Sequence, residues 1–130
     1  MQDNRAYIDS LGLCTVVRGA YKFSTSPTPE TLLAITGYDF APHLMTIGER
    51  ISNVERMILV REGIDRSDDT LPPRMREAVP NGPVAGHFIS DQMLNTMLDE
   101  YYSLRGWDER GKPRAEILEK LELTGILASA

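Results

Sequence analysis

Asp9, Gly12, Leu13 and Cys14 fall in one short stretch, YIDSLGLCTVV, near the start of a 130-residue chain. Cys14 is its single cysteine. A thiol becomes a metal ligand or a nucleophile only as the thiolate. A carboxylate five residues upstream offers an acceptor for N–H groups, and glycine between them allows positive φ or close backbone approach. The residue types leave two readings open. Cys14 is a small buried hydrophobe, or it is one thiolate of an iron–sulfur site, which needs four ligands. This chain supplies no second cysteine, so the latter reading requires ligands from another segment.

Other constellations are weaker. Two histidines, His43 and His87, stand far apart, and nothing local pairs either with Cys14 as a dyad. In "DRSDDT", Asp65, Ser67 and Asp69 have the alternate spacing of a calcium loop. The required glycine is Thr70, however, and the closing glutamate is Arg76, so the segment reads as a charged turn capping amides. Glu49, Asn53 and Arg56 share one helical face, flanked by Arg50 and Glu55. That pattern reads as a solvated face with weak ion pairs. Burial against a larger partner would turn it into a polar network.

The elements that must position these residues are helical. "TPETLLAITG" places Thr28 at an N-cap, Pro29 at the first helical position and Gly37 at the stop. Leu44, Ile47, Ile51, Val54 and Ile58 form a stripe at helical spacing. They predict a spine of about twenty residues, roughly 30 Å long, from Pro42 to the stop at Gly63. Gly48 inside it costs about 1 kcal/mol relative to alanine; a close helix crossing explains that, and so does simple tolerance. Residues 64–89, with four prolines, break all periodicity and read as a long ordered loop. Ser90 is the N-cap of a third helix that Gly106 ends, with Met93, Leu94, Met97, Leu98, Tyr101 and Leu104 inward. A short last helix follows Pro113, with Ile117, Leu118 and Leu121 inward. Only "TVVRGAY" hints at a strand. The expectation is an all-α, multihelical fold: one domain over 1–130, with the motif segment at 1–24, helices at 28–63, the loop at 64–89 and helices at 90–123.

Composition is that of a soluble globular protein, with 42% hydrophobic and 25% charged residues. A formal charge of -5 without any basic run argues against nucleic acid. No apolar run is long enough for a membrane. "MQDNRAY" lacks a signal core, and a lone cysteine fits a reducing, cytoplasmic location. The motif-like stretch begins so close to Met1 that the chain reads as part of something longer.

"DSLGLC" resembles the D-x-x-G-L-C motif of the aldehyde ferredoxin oxidoreductase family, the tungsten- or molybdenum-bispterin enzymes. "GERISNVERMILVREGIDRSDDTLPPRM" is similar to that family's G-E-R, N-x-E-R, R-E-G and D-D-x-L-P-x-R series. "GPVAG" and "MLDEYYSLRGWDERGKP" follow in the family's order, the latter resembling L-x-x-Y-Y-x-x-R-G-W-D-x-x-G-x-P. Near the end the family has L-G-L where this chain has Leu121-Glu122-Leu123.

The resemblance implies an all-α C-terminal part of an enzyme that oxidises an aldehyde to a carboxylic acid and passes electrons through a 4Fe-4S cluster to ferredoxin. Carried over, Cys14 is the fourth cluster ligand, the other three coming from an upstream C-x-x-C-x-x-x-C motif. Asp9 contacts a pterin, and Gly12 and Leu13 approach it through the backbone. Acid/base residues and most of the bispterin site would lie upstream, so no catalytic residue is expected here. The fragment alone is expected to bind no cofactor and to be inactive. Its partners would be the N-terminal domain, ferredoxin and the aldehyde; in the fragment, surfaces that face the N-terminal domain would be either exposed or covered by self-association as a homo-oligomer. The alternative is a free-standing helical domain docking on a separately encoded catalytic chain, which would have no use for a cluster ligand.

Overall fold

In a computed structural model, which describes residues 2–12, 14 and 29–125, five α-helices follow one another. They are α1 (Gln2–Ser10), α2 (Pro29–Thr36), α3 (Leu44–Arg61), α4 (Asp91–Arg105) and α5 (Ala115–Lys120). A single 3-10 turn spans Pro73–Arg76. The described residues contain no strand, only an isolated bridge between Trp107 and Pro113. Thr28, Leu13 and "TVVRGAY" lie outside the described residues, so their expected roles as cap, backbone contact and strand do too. No helix among the described residues is long and apolar enough to cross a membrane. The chain forms two compact units, Met1–Glu55 and Arg56–Ala130.

The first unit is built on α1. Tyr7 and Ile8 are buried with Leu44, and Leu32, Phe40 and Ile47 pack around them. Here the spine differs from expectation. Of the apolar stripe only Leu44 is buried; Ile47, Ile51 and Val54 are half-buried and Ile58 is exposed. The buried face is instead Gly48, Ser52, Asn53 and Arg56. The reason is Gly48. A Cβ there would lie 1.9 Å from the Asp3 carbonyl oxygen, so α1 lies backbone to backbone on α3. This close crossing carries Ser52 inward, where its hydroxyl donates to Asp3 Oδ1 at 3.2 Å. Asn53 is 0% exposed and donates to the Glu49 carbonyl at 2.9 Å.

The second unit is held by helix ends and their turns. Three helices stop alike, each with paired bonds back to its last carbonyls, the Schellman pattern. After α3 these are Ile64 N–H to Leu59 O and Gly63 N–H to Val60 O. After α4 they are Trp107 N–H to Tyr102 O and Gly106 N–H to Ser103 O, and after α5 Leu123 N–H to Leu118 O and Glu122 N–H to Glu119 O. The pattern demands a left-handed residue. Gly63 and Gly106 supply it freely at φ 90° and 69°. Glu122 supplies it at φ 54°, the one positive-φ residue other than glycine among the described residues. This turn drives Leu121 and Leu123 into the interior, each 1% exposed.

Ser90 caps α4 as its sequence predicts, its hydroxyl accepting from Met93 N–H at 3.2 Å. The inward face of α4 does not match. Tyr102 and Arg105 are buried, while Met93, Met97 and Leu104 are exposed. The helix is anchored by its aromatic and cationic residues, and its apolar stripe is turned away from them.

Candidate functional site

The turn after α1 carries the candidate ligands. Tyr7 and Ile8 fix the last helical turn in the core, which leaves Asp9 on the exposed side. Ser10 Oγ donates to the Tyr7 carbonyl at 2.6 Å, Leu11 N–H to Ile8 O at 3.1 Å and Gly12 N–H to Asp9 O at 3.0 Å. Gly12 then turns the chain at φ 71°, a left-handed conformation that glycine adopts without strain. The Asp9 carboxylate meets an i,i+4 partner, Arg5 Nε at 3.5 Å, and both side chains are about half exposed. Cys14 follows and is exposed. That is the opposite of a cysteine used as core filling. Asp9 lies in the last turn of α1, Gly12 in the turn after it and Cys14 beyond Leu13, which is outside the described residues; all three are exposed.

The donor chemistry fits a thiolate ligand completed from elsewhere. Among the described residues no three His, Cys, Asp or Glu side chains are grouped to hold a metal ion. Cys14 therefore has one ligand to offer, not a site. Both histidines are exposed, and the His87 backbone is spent within its loop, accepting from Val79 N–H and donating to Val84 O.

A second cluster gathers charged and aromatic side chains that bond to one another. Arg56, expected on a solvated face, is buried. Its guanidinium grips Asp69 with both Nη atoms, at 2.9 and 2.7 Å, and its Nε donates to Gly111 O at 2.7 Å. Tyr102 donates its hydroxyl to the same Asp69 carboxylate. The guanidinium lies 5.1 Å from the Trp107 ring centroid and 5.9 Å from that of Tyr102, a cation–π arrangement. Trp107 in turn meets Tyr101 edge-on, centroids 5.4 Å apart. Gly111, at φ 79°, fits because it is bare; a Cβ would stand 2.2 Å from Arg56 Nη2 and 2.9 Å from the Tyr102 hydroxyl.

The electrostatics follow the geometry. Burial opposes the Arg56 charge, but the hydrogen bond and charge of Asp69 outweigh it, and the arginine pKa is raised. Burial, then the hydrogen bond to Asp69, pushes the Tyr102 phenol up to about 12. Arg56 Nε, both its Nη atoms and the Tyr102 hydroxyl all donate within the cluster, so it joins α3, the loop and the turn after α4.

The "DRSDDT" turn behaves as read. Asp65 Oδ1 accepts from the Ser67 N–H at 2.9 Å and hydroxyl at 2.7 Å, and Arg110 reaches Oδ2 at 3.1 Å. These bonds hold the Asp65 carboxyl down at about 2. Arg66 reaches across to Asp99 at 2.6 Å and lies 5.4 Å from the Tyr102 ring centroid. An open groove of about 190 Å³ beside Tyr102, Trp107 and Arg114 is smaller than ordinary small-molecule pockets.

The family model for aldehyde ferredoxin oxidoreductase, domains 2 and 3, matches residues 1–123. A tungsten-containing aldehyde ferredoxin oxidoreductase of Pyrococcus furiosus is 42% identical over 123 residues, covering 92% of this chain and 20% of its own length. The enzyme of the same description from Thermococcus kodakarensis is 38% identical over 129 residues, 97% of this chain and 20% of its own. An aliphatic sulfonate oxidoreductase, WOR-like subunit, of Pyrococcus furiosus is 34% identical over 127 residues, 89% of this chain and 19% of its own. Among solved structures, the active site complex BamBC of benzoyl coenzyme A reductase superposes with a TM-score of 0.61 at 24% identity, covering 78% of this chain and 14% of that one; it shares the fold. The chain spans about a fifth of the length of the curated relatives it matches. With the match running from the turn of Asp9 and Cys14 through the Arg56 cluster to Leu123, the chain belongs to the aldehyde ferredoxin oxidoreductase family and represents its helical domains 2 and 3.

Proposed function

We propose that this chain is the C-terminal part of a tungsten (or molybdenum) bispterin enzyme that oxidises an aldehyde to a carboxylic acid and delivers electrons to ferredoxin. The carrying observation is the end of α1 and the turn after it, where Asp9, Gly12 and Cys14 are all exposed and follow one another in the D-x-x-G-L-C order. The aldehyde is favoured over other substrates because the relatives named for it are more similar, 42% and 38% identical against 34% for the one named for sulfonates.

When bound, the bispterin metal and a 4Fe-4S cluster supply the oxidation and the outward passage of electrons. This chain's residues position them. Cys14 Sγ is the fourth cluster ligand, and coordination keeps it a thiolate. The half-exposed Asp9 carboxylate accepts hydrogen bonds from pterin N–H groups. Gly12, lacking a Cβ, and Leu13 approach the same pterin through their backbone. One turn that touches both groups sets their separation, which is the protein's share of such chemistry. The buried Tyr7 and Ile8 hold that turn still.

The test is Cys14→Ser in the complete enzyme. Loss of bound iron and of the low-temperature electron paramagnetic resonance signal of the reduced cluster is expected. An unchanged cluster spectrum would remove Cys14 from the ligand set.

A further inference from the structure

The loop between α3 and α4 holds an Asn-Gly pair, Asn81–Gly82, that has no role in the function above. Asn-Gly marks a turn, and the chain turns here. Gly82 stands at φ 90°, Ala85 N–H donates to Gly82 O at 3.1 Å, and Gly86 N–H closes the loop on Val79 O at 2.8 Å. Asn81 and Gly82 are both exposed. Among the described residues neither the Asn81 carboxamide nor the Gly82 N–H has a hydrogen-bond partner. A Cβ on Gly82 would meet nothing within 4 Å, so the space around the pair is open to water.

We infer that Asn81–Gly82 is a self-modifying site, at which the chain converts its own asparagine to isoaspartate and aspartate. The Gly82 nitrogen, its proton taken by hydroxide, attacks Asn81 Cγ. The new N–Cγ bond forms as the Cγ–Nδ2 bond breaks, and ammonia leaves with a proton from water. Water then opens the cyclic imide at either carbonyl. One opening gives aspartate; the other gives isoaspartate, in which the main chain runs through the former side chain. Nothing is oxidised or reduced. Glycine favours the attack because it sets no Cβ beside the attacking nitrogen, and an unpartnered N–H has no bond to give up. The other three asparagines lack these features. Asn4, Asn53 and Asn95 each lie inside a helix and are followed by Arg5, Val54 and Thr96. Asn53 is also 0% exposed and donates to Glu49 O, and Asn95 Oδ1 accepts from Arg66 at 3.3 Å. Either product adds a negative charge to the loop, and isoaspartate also lengthens the backbone between the Val79 and Gly86 anchors.

The experiment incubates the complete enzyme at mildly alkaline pH, folded and, in parallel, unfolded in urea. Digestion at acid pH and mass spectrometry then follow each asparagine, and isoaspartyl methyltransferase labels the isoaspartate. In the folded enzyme the Asn81 peptide is expected to gain the mass of an amide-to-acid exchange several-fold faster than the peptides of Asn4, Asn53 and Asn95. It should split into two products, with isoaspartate in excess. Asn81→Gln should abolish the methyltransferase label in this loop. An Asn81 that stays intact in the folded enzyme, whether or not the unfolded chain converts, would overturn the inference. So would conversion no faster than at the other three asparagines, or a product that is aspartate alone.

Discussion

The turn after α1 and the cluster around Arg56 are both dense with family motif residues, yet they are held in opposite ways. Asp9 and Cys14 are exposed, and the ion pair of Asp9 with Arg5 is a loose contact at 3.5 Å. Arg56 is buried and committed at every nitrogen, to Asp69 twice and to Gly111 once. Residues proposed to meet a cofactor stand at the surface. Residues that hold a fold must close their bonding capacity, because an unpaired charge in the interior is costly. The contrast separates two reasons for a motif that look the same as letters.

The largest effect should come from Arg56→Met, which strands Asp69 and removes the cation over Trp107. A loss of about 3–5 kcal/mol is expected, the cost of leaving one partner of a buried pair alone. Urea unfolding followed by Trp107 fluorescence reads it directly, since Trp107 is the single tryptophan and lies under that guanidinium. Cys14→Ser in the same chain should move the midpoint by less than about 0.5 kcal/mol, as for other surface changes. A comparable loss in both variants would erase the distinction.

Tyr102→Phe sharpens the comparison at the next scale, with a loss of about 1–2 kcal/mol near neutral pH for one hydrogen bond to a charged acceptor. It also carries a signature in alkali. The folded-state phenol titrates at about 12 rather than 10, so its stabilisation is complete below pH 10 and drains away as pH rises from 10 toward 12. The variant should lack that part of the alkaline decline. An identical pH profile in both proteins would show that the phenol contributes nothing through its proton.

The smallest effect has the opposite sign. Glu122 occupies the left-handed position that Gly63 and Gly106 fill elsewhere. Glu122→Gly should raise stability by about 1 kcal/mol by removing that strain. A thermal melt checks it, and a lowered midpoint would mean that the glutamate side chain more than repays its backbone.

Much of the architecture was legible because it is local. Helix stops at Gly63 and Gly106 and the Ser90 cap follow from single-residue chemistry. The Asp65 turn does too. What was misread is which face turns inward. On α3 the apolar stripe predicted one side, and Gly48 with its polar neighbours won the other. A missing Cβ lets the backbone of α1 come into contact at Gly48, and that contact rather than the apolar stripe decides which face of α3 is covered. Arg56 was read as solvated because charge spacing along one helix says nothing of Asp69, Tyr102 and Gly111, which reach it from far along the sequence. Their only sequence signal was the density of motif letters. On α4 the exposed methionines were placed in a core because periodicity reports that a face is apolar and does not say which molecule covers it.

The bare spot at Gly48 has a consequence for how this protein can change. Because Asp3 rests there on the backbone itself, the spacing between α1 and α3 is set by main-chain thickness and not by whichever side chains happen to fill the core. Tyr7, Ile8 and Leu44 can drift through evolution, trading volume among themselves, and the ruler is not recalibrated. A single methyl at position 48 would recalibrate it, and α1 carries the Asp9–Cys14 turn at its far end. The one residue without a side chain on that face is therefore the one that sets how close α1 comes to α3.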